Sequence, residues 1–224
     1  MNREFYKKLI CLVLPIAFQQ FMLSLVSASD ALMLGMISQD ALAAVSLAGQ
    51  ITFVFNLFLS AFSMGTSMLA AQYWGKKDYL SLEKILAFVL RASLAVSFLF
   101  FAGTLLIPRH LMYIFTSDPA LINAGVSYLQ ASSVSFLMCG ISQIYLCMMK
   151  NSGRAIKSAV ISSTAVVLNI ILNAVFIFGL GAIPAMGIAG AAFATVIART
   201  VETAWSVMDS SRENSIRLNL RFFI

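Results

Sequence analysis

In a chain this apolar, chemistry has to come from the few polar side chains inside the apolar runs. The stretch Leu25-Val-Ser-Ala-Ser-Asp-Ala-Leu-Met-Leu-Gly35 places Asp30 near the end of a run that begins at about Leu9. A carboxylate in hydrocarbon costs about 2.5–3.5 kcal/mol even on the lenient insertion scale, so an acid there is expected to work. Gln20, Ser24, Ser27 and Asp30 fall within about 120° of helical arc, a polar stripe suited to a substrate cavity and ending at the carboxylate. A later run carries Asn169 and Asn173 one turn apart, with Ser162 on nearly the same side. The last run carries Thr195 beside the small-residue stretch Gly187-Ile-Ala-Gly-Ala-Ala-Phe-Ala-Thr195. A carboxylate and two amides meeting inside a bundle supply oxygen ligands and donors that can hold a sodium ion, or a proton on the aspartate. Intramembrane polar groups also simply hydrogen-bond between helices, for about 0.6 kcal/mol each. That plain reading weighs most on Gln20, Ser24, Ser27 and Ser162, and least on Asp30. The other eight acids read as residues of loops, termini or the edges of apolar runs.

The elements that must position these groups follow from composition. The 224 residues are 60% hydrophobic and 11% charged, against about 25% charged in soluble domains. Six apolar runs, at about 9–35, 41–71, 85–107, 124–149, 158–182 and 186–208, are each long enough for a transmembrane helix. The fold class is therefore all-α and polytopic, with a six-helix unit over 1–208 and a polar, basic segment over 209–224 read as a cytoplasmic linker or tail. No alternating strand pattern points to a barrel.

Fourteen of the fifteen lysines and arginines fall at the start, in the second and fourth connections, or near and after the last run, whereas Arg109 stands alone on the other side. That asymmetry puts both termini in the cytoplasm, in a cell membrane. It also accounts for the net charge of +6 without nucleic acid, since no basic patch interleaved with aromatics appears. On this count no lysine or arginine lies mid-span. Gly75-Lys-Lys-Asp78 and Asn151-Ser-Gly-Arg154 read as tight turns, and Leu111-Met-Tyr-Ile-Phe115 as a short interfacial helix. Cys11, Cys139 and Cys147 form no metal or disulfide pattern, His110 lies in a loop, and enzyme motifs are missing. No catalytic residue, enzymatic activity or cofactor is expected.

Four stretches carry a family resemblance. Pro15 with Ser29-Asp-Ala-Leu-Met-Leu-Gly35, Gly65-Thr-Ser-Met-Leu-Ala-Ala-Gln-Tyr-Trp-Gly75, Leu168-Asn-Ile-Ile-Leu-Asn-Ala-Val-Phe-Ile-Phe-Gly179 and Met186-Gly-Ile-Ala-Gly-Ala-Ala-Phe-Ala-Thr195 resemble the first, second, fifth and sixth helices of multidrug and toxic compound extrusion (MATE) transporters. The resemblance implies one lobe of a twelve-helix, two-lobe exporter of cationic or amphipathic compounds and drugs, driven by protons or sodium. It also implies a cation-coupling site at Asp30, Asn169, Asn173 and Thr195. Where some members have a second aspartate on the fifth helix, Asn173 stands here and leaves proton and sodium both open. Six helices read as the N-terminal half, incomplete without a C-terminal lobe or a second copy. The competing readings are a lipid or polysaccharide-precursor flippase of the same superfamily, which should line its cavity with arginines or lysines, and an inactive truncation product or membrane scaffold.

Overall fold

The computed structural model describes residues 3–179 and 184–210. Among them there is no strand; the chain forms α1 (Arg3–Gly35), α2 (Gln39–Gly75), α3 (Tyr79–Leu106), α4 (Pro108–Tyr113), α5 (Pro119–Asn151), α6 (Ala155–Phe178) and α7 (Gly187–Ser210). Six are long; the short α4 starts three residues before the expected Leu111–Phe115, ends at Tyr113 and takes in His110, read above as a loop residue, because Pro108 opens it.

Local chemistry sets the ends. The side chains of Ser38, Asp78 and Asp118 accept the backbone N–H groups of Ala41, Ser81 and Ala120 at 2.9, 3.1 and 2.8 Å, satisfying donors that a helix start leaves open. Pro108 and Pro119 open α4 and α5 in the first turn, where a missing N–H costs nothing. These caps start α2, α3 and α5 two to six residues before the apolar runs do. The fifth run is shorter than the expected 158–182: α6 stops at Phe178 because Gly179 takes a left-handed φ of 73°. At the other end of the chain α7 continues through Asp209 and Ser210, two residues assigned above to the linker. Residues 211–224 of that expected linker lie outside the described residues, as does 180–183 of the connection before α7.

Helix α5 is the axis of the bundle and packs most extensively against α7, α3 and α2. Phe55 of α2, Phe100 of α3 and Phe136 of α5 meet with ring centroids 5.0–6.0 Å apart. Toward the turns at 76–78 and 152–154, Leu82, Leu86 and Leu90 pack on Ile144, Tyr145 and Met148. Glycine permits the closest approach: a Cβ on Gly140 would lie 1.9 Å from Ser97 Oγ, and Ser93 donates to the Gly140 carbonyl at 2.9 Å. Helix α1 lies at the periphery against α6. Its Leu14 and Leu32, with Phe98 and Leu99 of α3, are exposed apolar side chains of the kind a lipid-facing surface requires.

Five helices, α1, α2, α3, α5 and α6, are long and apolar enough to cross a membrane. Helix α7 has 24 residues, a rise of about 36 Å, but does not meet that apolarity. It carries Arg199, Glu202 and Asp209 inward, against its neighbours rather than toward lipid.

Candidate functional site

Helices α1, α2, α5, α6 and α7 surround an open cavity of about 780 Å³. Asp30 lies near the end of α1, toward the turn at 36–38. The Asn173 amide of α6 donates both to Asp30 Oδ1 and, at 3.2 Å, to Asn169 Oδ1. The Asn169 amide donates to Thr195 Oγ1 of α7 at 3.5 Å, and the Thr195 hydroxyl donates to the Ala191 carbonyl one turn back, at 3.0 Å. The four residues proposed from sequence thus form one chain across α1, α6 and α7. Spacing explains it: Asn169 and Asn173 share a face, and Gly190 brings α7 close enough that an added Cβ would lie 2.6 Å from the Phe176 carbonyl oxygen. Asn173 is 0% exposed and Asn169 5%. The Asn173 Oδ1 has no partner among the described residues, which leaves an acceptor free beside the carboxylate.

The rest of the expected stripe divides. Gln20 and Ser27 line the cavity, but Ser24 does not: its hydroxyl turns onto the Gln20 carbonyl at 3.1 Å. Its place at the margin of a 120° arc aims it along the helix. Ser162 lines the cavity with its hydroxyl unpartnered among the described residues, and so does Gln19, which is buried. Gln19 was not singled out, although the Gln19-Gln20 doublet in an apolar run is a visible signal.

A larger departure lies one to two turns along α7. Glu202 is 1% exposed, accepts from Arg199 Nη1 at 2.8 Å and from the Ser142 hydroxyl of α5 at 3.0 Å, and lines the cavity together with Arg199. The expectation that the other eight acids sit in loops, termini or run edges is therefore wrong for Glu202, and the expectation that no lysine or arginine lies mid-span is wrong for Arg199. Both stand in the middle of α7, where a charge is tolerated because its partner is within hydrogen-bonding distance. Asp209, at the edge of the last run, is buried against Arg154 and Lys157, tying α7 to the start of α6. Cys139 and Cys147 are buried and Cys11 exposed, all free. Among the described residues no group of three or more histidines, cysteines or acids gathers in a way that could hold a metal ion.

Comparison with known proteins bears on the family and the fold. The MatE protein-family model matches residues 15–175. The "Uncharacterized transporter YisQ" of Bacillus subtilis is 27% identical over 95% of this chain and 47% of its own length. The "Probable multidrug resistance protein NorM" of Thermotoga maritima is 26% identical over 88% of this chain and 43% of its own. Among solved structures, a MOP superfamily transporter from Pyrococcus furiosus superimposes with a TM-score of 0.86 at 20% identity, covering 97% of this chain and 48% of that one. The chain spans about half the length of the relatives it matches.

Proposed function

The chain belongs to the MatE family of transporters, and from that premise we propose that it forms the N-terminal lobe of a cation-coupled exporter of amphipathic organic cations. It is a multi-pass membrane protein. The lysine and arginine asymmetry places its termini in the cytoplasm, and the partners implied are drugs or similar compounds, the bilayer and a second lobe.

The observation that carries this reading is the chain from Asp30 through Asn173 and Asn169 to Thr195. Ionised Asp30 uses the Asn173 N–H as a donor and so ties α1 to α6. A proton on Asp30 turns one carboxyl oxygen into a donor, and the free Asn173 Oδ1 is then its acceptor. A sodium ion would draw on the same carboxylate and amide oxygens. A proton thus adds a bond between the carboxyl and the amide, whereas a sodium ion competes with the amide N–H for the carboxylate, and either changes how tightly α1 is held to α6. The α1–α6 contact then has two states, which ion binding and substrate binding can bias in opposite directions. An exporter needs such a bistable contact at the wall of its cavity. The family sets the prior for transport; the one ionisable group of this network supplies the coupling.

The test is efflux of a fluorescent cationic dye from cells stripped of their own pumps, with the chain co-expressed with a complementary MATE C-terminal lobe. Asp30→Asn is expected to insert normally and to lower efflux to the empty-vector level. Efflux equal to that of the unsubstituted protein would overturn the assignment of Asp30.

A further inference from the structure

The cavity wall carries three charged stations, Asp30 of α1, Lys150 in the last turn of α5 and the Arg199–Glu202 pair of α7, and the coupling reading uses the first. The station on α7 is built around Arg199. Its side chain is 28% exposed while that of its partner Glu202 is 1% exposed, so the pair is layered, with the carboxylate behind and the guanidinium in front. The Glu202 oxygen that pairs with Arg199, Oε2, also accepts from the Ser142 hydroxyl of α5, and Oε1 has no partner among the described residues. A guanidinium carries five N–H donors in a planar fork, and the described residues take one of them, Nη1 to Glu202. The rest of the fork faces the open cavity, where it can meet a further acceptor. Packing alone gives α7 no reason for this, because Ala191, Ala194 and Ala198 already fill its interface with small apolar groups.

We infer that Arg199 forms an acceptor-binding subsite in the exporter's cavity, taking the carboxylate of an amphipathic zwitterion whose cationic end lies toward Asp30. Glu202 and Ser142 are positioning residues: they neutralise the guanidinium, hold its plane and leave its free edge to the ligand. The spacing follows from helix geometry. Asn173 to Asn169 is one turn of α6, and Thr195 to Arg199 is one turn of α7. Since the Asn169 amide reaches Thr195, about 12 Å of helix rise separates the level of Asn173, which pairs with Asp30, from the level of Arg199. A ligand whose cation and carboxylate are separated by about that distance engages both stations at once, and the mixed wall between them, where Ala165, Val166 and Ala198 lie beside Asn169 and Thr195, takes its body. A simple organic cation engages one. This inference rests on the exporter reading for its place in transport, but the subsite itself is a claim about binding.

Binding is therefore what the experiment reads, on the full chain purified into lipid nanodiscs. The probes are a fluorescent quaternary-ammonium dye bearing a carboxylate about 12 Å from its nitrogen, and the methyl ester of that dye. The unsubstituted chain is expected to bind the free acid about tenfold more tightly than the ester, as a charge-assisted hydrogen bond predicts. The double variant Arg199→Gln, Glu202→Gln leaves no unpaired charge and so keeps the fold. It should bind acid and ester within about twofold of each other, with the ester unchanged. Arg199→Lys keeps the charge but loses the fork, and should fall between the two. Equal binding of acid and ester by the unsubstituted chain, binding of neither, or a preference that survives the double variant would each overturn the subsite. A chain that exports no dye still gives the acid-to-ester ratio, so failure of transport bears on the exporter reading alone.

Discussion

The Asp30 and Arg199 ends of one cavity treat charge in opposite ways. At the Asp30 end a single carboxylate meets amides and a hydroxyl, with no cation among its hydrogen-bond partners. At the Arg199 end the carboxylate is compensated by a guanidinium and closed off from solvent. A neutral polar cluster around one acid leaves a charge for an incoming cation to cancel, whereas a closed ion pair resists any change in charge state. The first arrangement suits exchange, and the second suits a fixed landmark that other groups recognise.

The sharpest way to break this comparison is to neutralise each acid with its isosteric amide and measure thermal unfolding of the purified chain. Removing one partner of a buried ion pair costs about 3–5 kcal/mol, and the partial exposure of Arg199 puts Glu202→Gln at the lower end of that range. The double variant with Arg199→Gln should recover most of the loss. Asp30→Asn keeps an acceptor for the Asn173 amide and leaves no ion uncompensated, so its cost should stay below about 1 kcal/mol. Equal losses for the two substitutions would mean that the stations do not differ in kind.

A smaller effect tests what brings the two stations onto one wall. The Asp30 network needs Asn169 of α6 level with Thr195 of α7, and Gly190 sets that approach. A methyl there meets the Phe176 backbone rather than a flexible side chain, so Gly190→Ala should cost about 1–3 kcal/mol by overpacking. It should also separate Asn169 from Thr195 while sparing the Arg199–Glu202 pair, whose partners are both on α7, and the Ser142 contact on α5. Dye efflux should fall more than binding of the zwitterionic probe does. A parallel fall in both would show that one rigid wall carries the two stations.

This contrast also explains what was legible beforehand. Asp30, Asn169, Asn173 and Thr195 stood out because each is polar within an apolar run, and four-residue spacing put the two asparagines on one face. Arg199 and Glu202 were missed for the converse reason. They lower the apolarity of their own run, so each looks like a flanking charge at the run's edge. Their i, i+3 spacing was the available signal, since on a helix it brings an arginine and a glutamate together. Ser24 failed because an arc of 120° includes side chains that turn onto their own helix. The overshoot of α6 to residue 182 came from apolar Leu180, Ala182 and Ile183, which do not look like a stop; the left-handed Gly179 is what ends the helix. The fold itself was readable because spans in lipid must close their own backbone hydrogen bonds, which leaves helix as the solution for each run.

The smallest expected effect lies away from both stations, in the polar turn between α2 and α3, and it serves as their control. Asp78 caps α3. The hydroxyl of Ser81, donating at 2.6 Å, and then its backbone N–H at 3.1 Å hold the Asp78 carboxyl below its ordinary value of 3.8. A carboxyl lowered in the folded state stabilises the fold above its unfolded pKa and loses that contribution as pH falls through the folded one. Asp78→Ala should therefore lower the unfolding temperature slightly at neutral pH. The gap between variant and unsubstituted chain should close as the solution is acidified below 3.8. Because Asp78 shares no partner with Asp30 or Glu202, its effect should add to that of either substitution. Non-additivity with Glu202→Gln would mean that the ion pair is felt as far as the turn at 76–78. The closed station would then hold the whole bundle and not α5 and α7 alone.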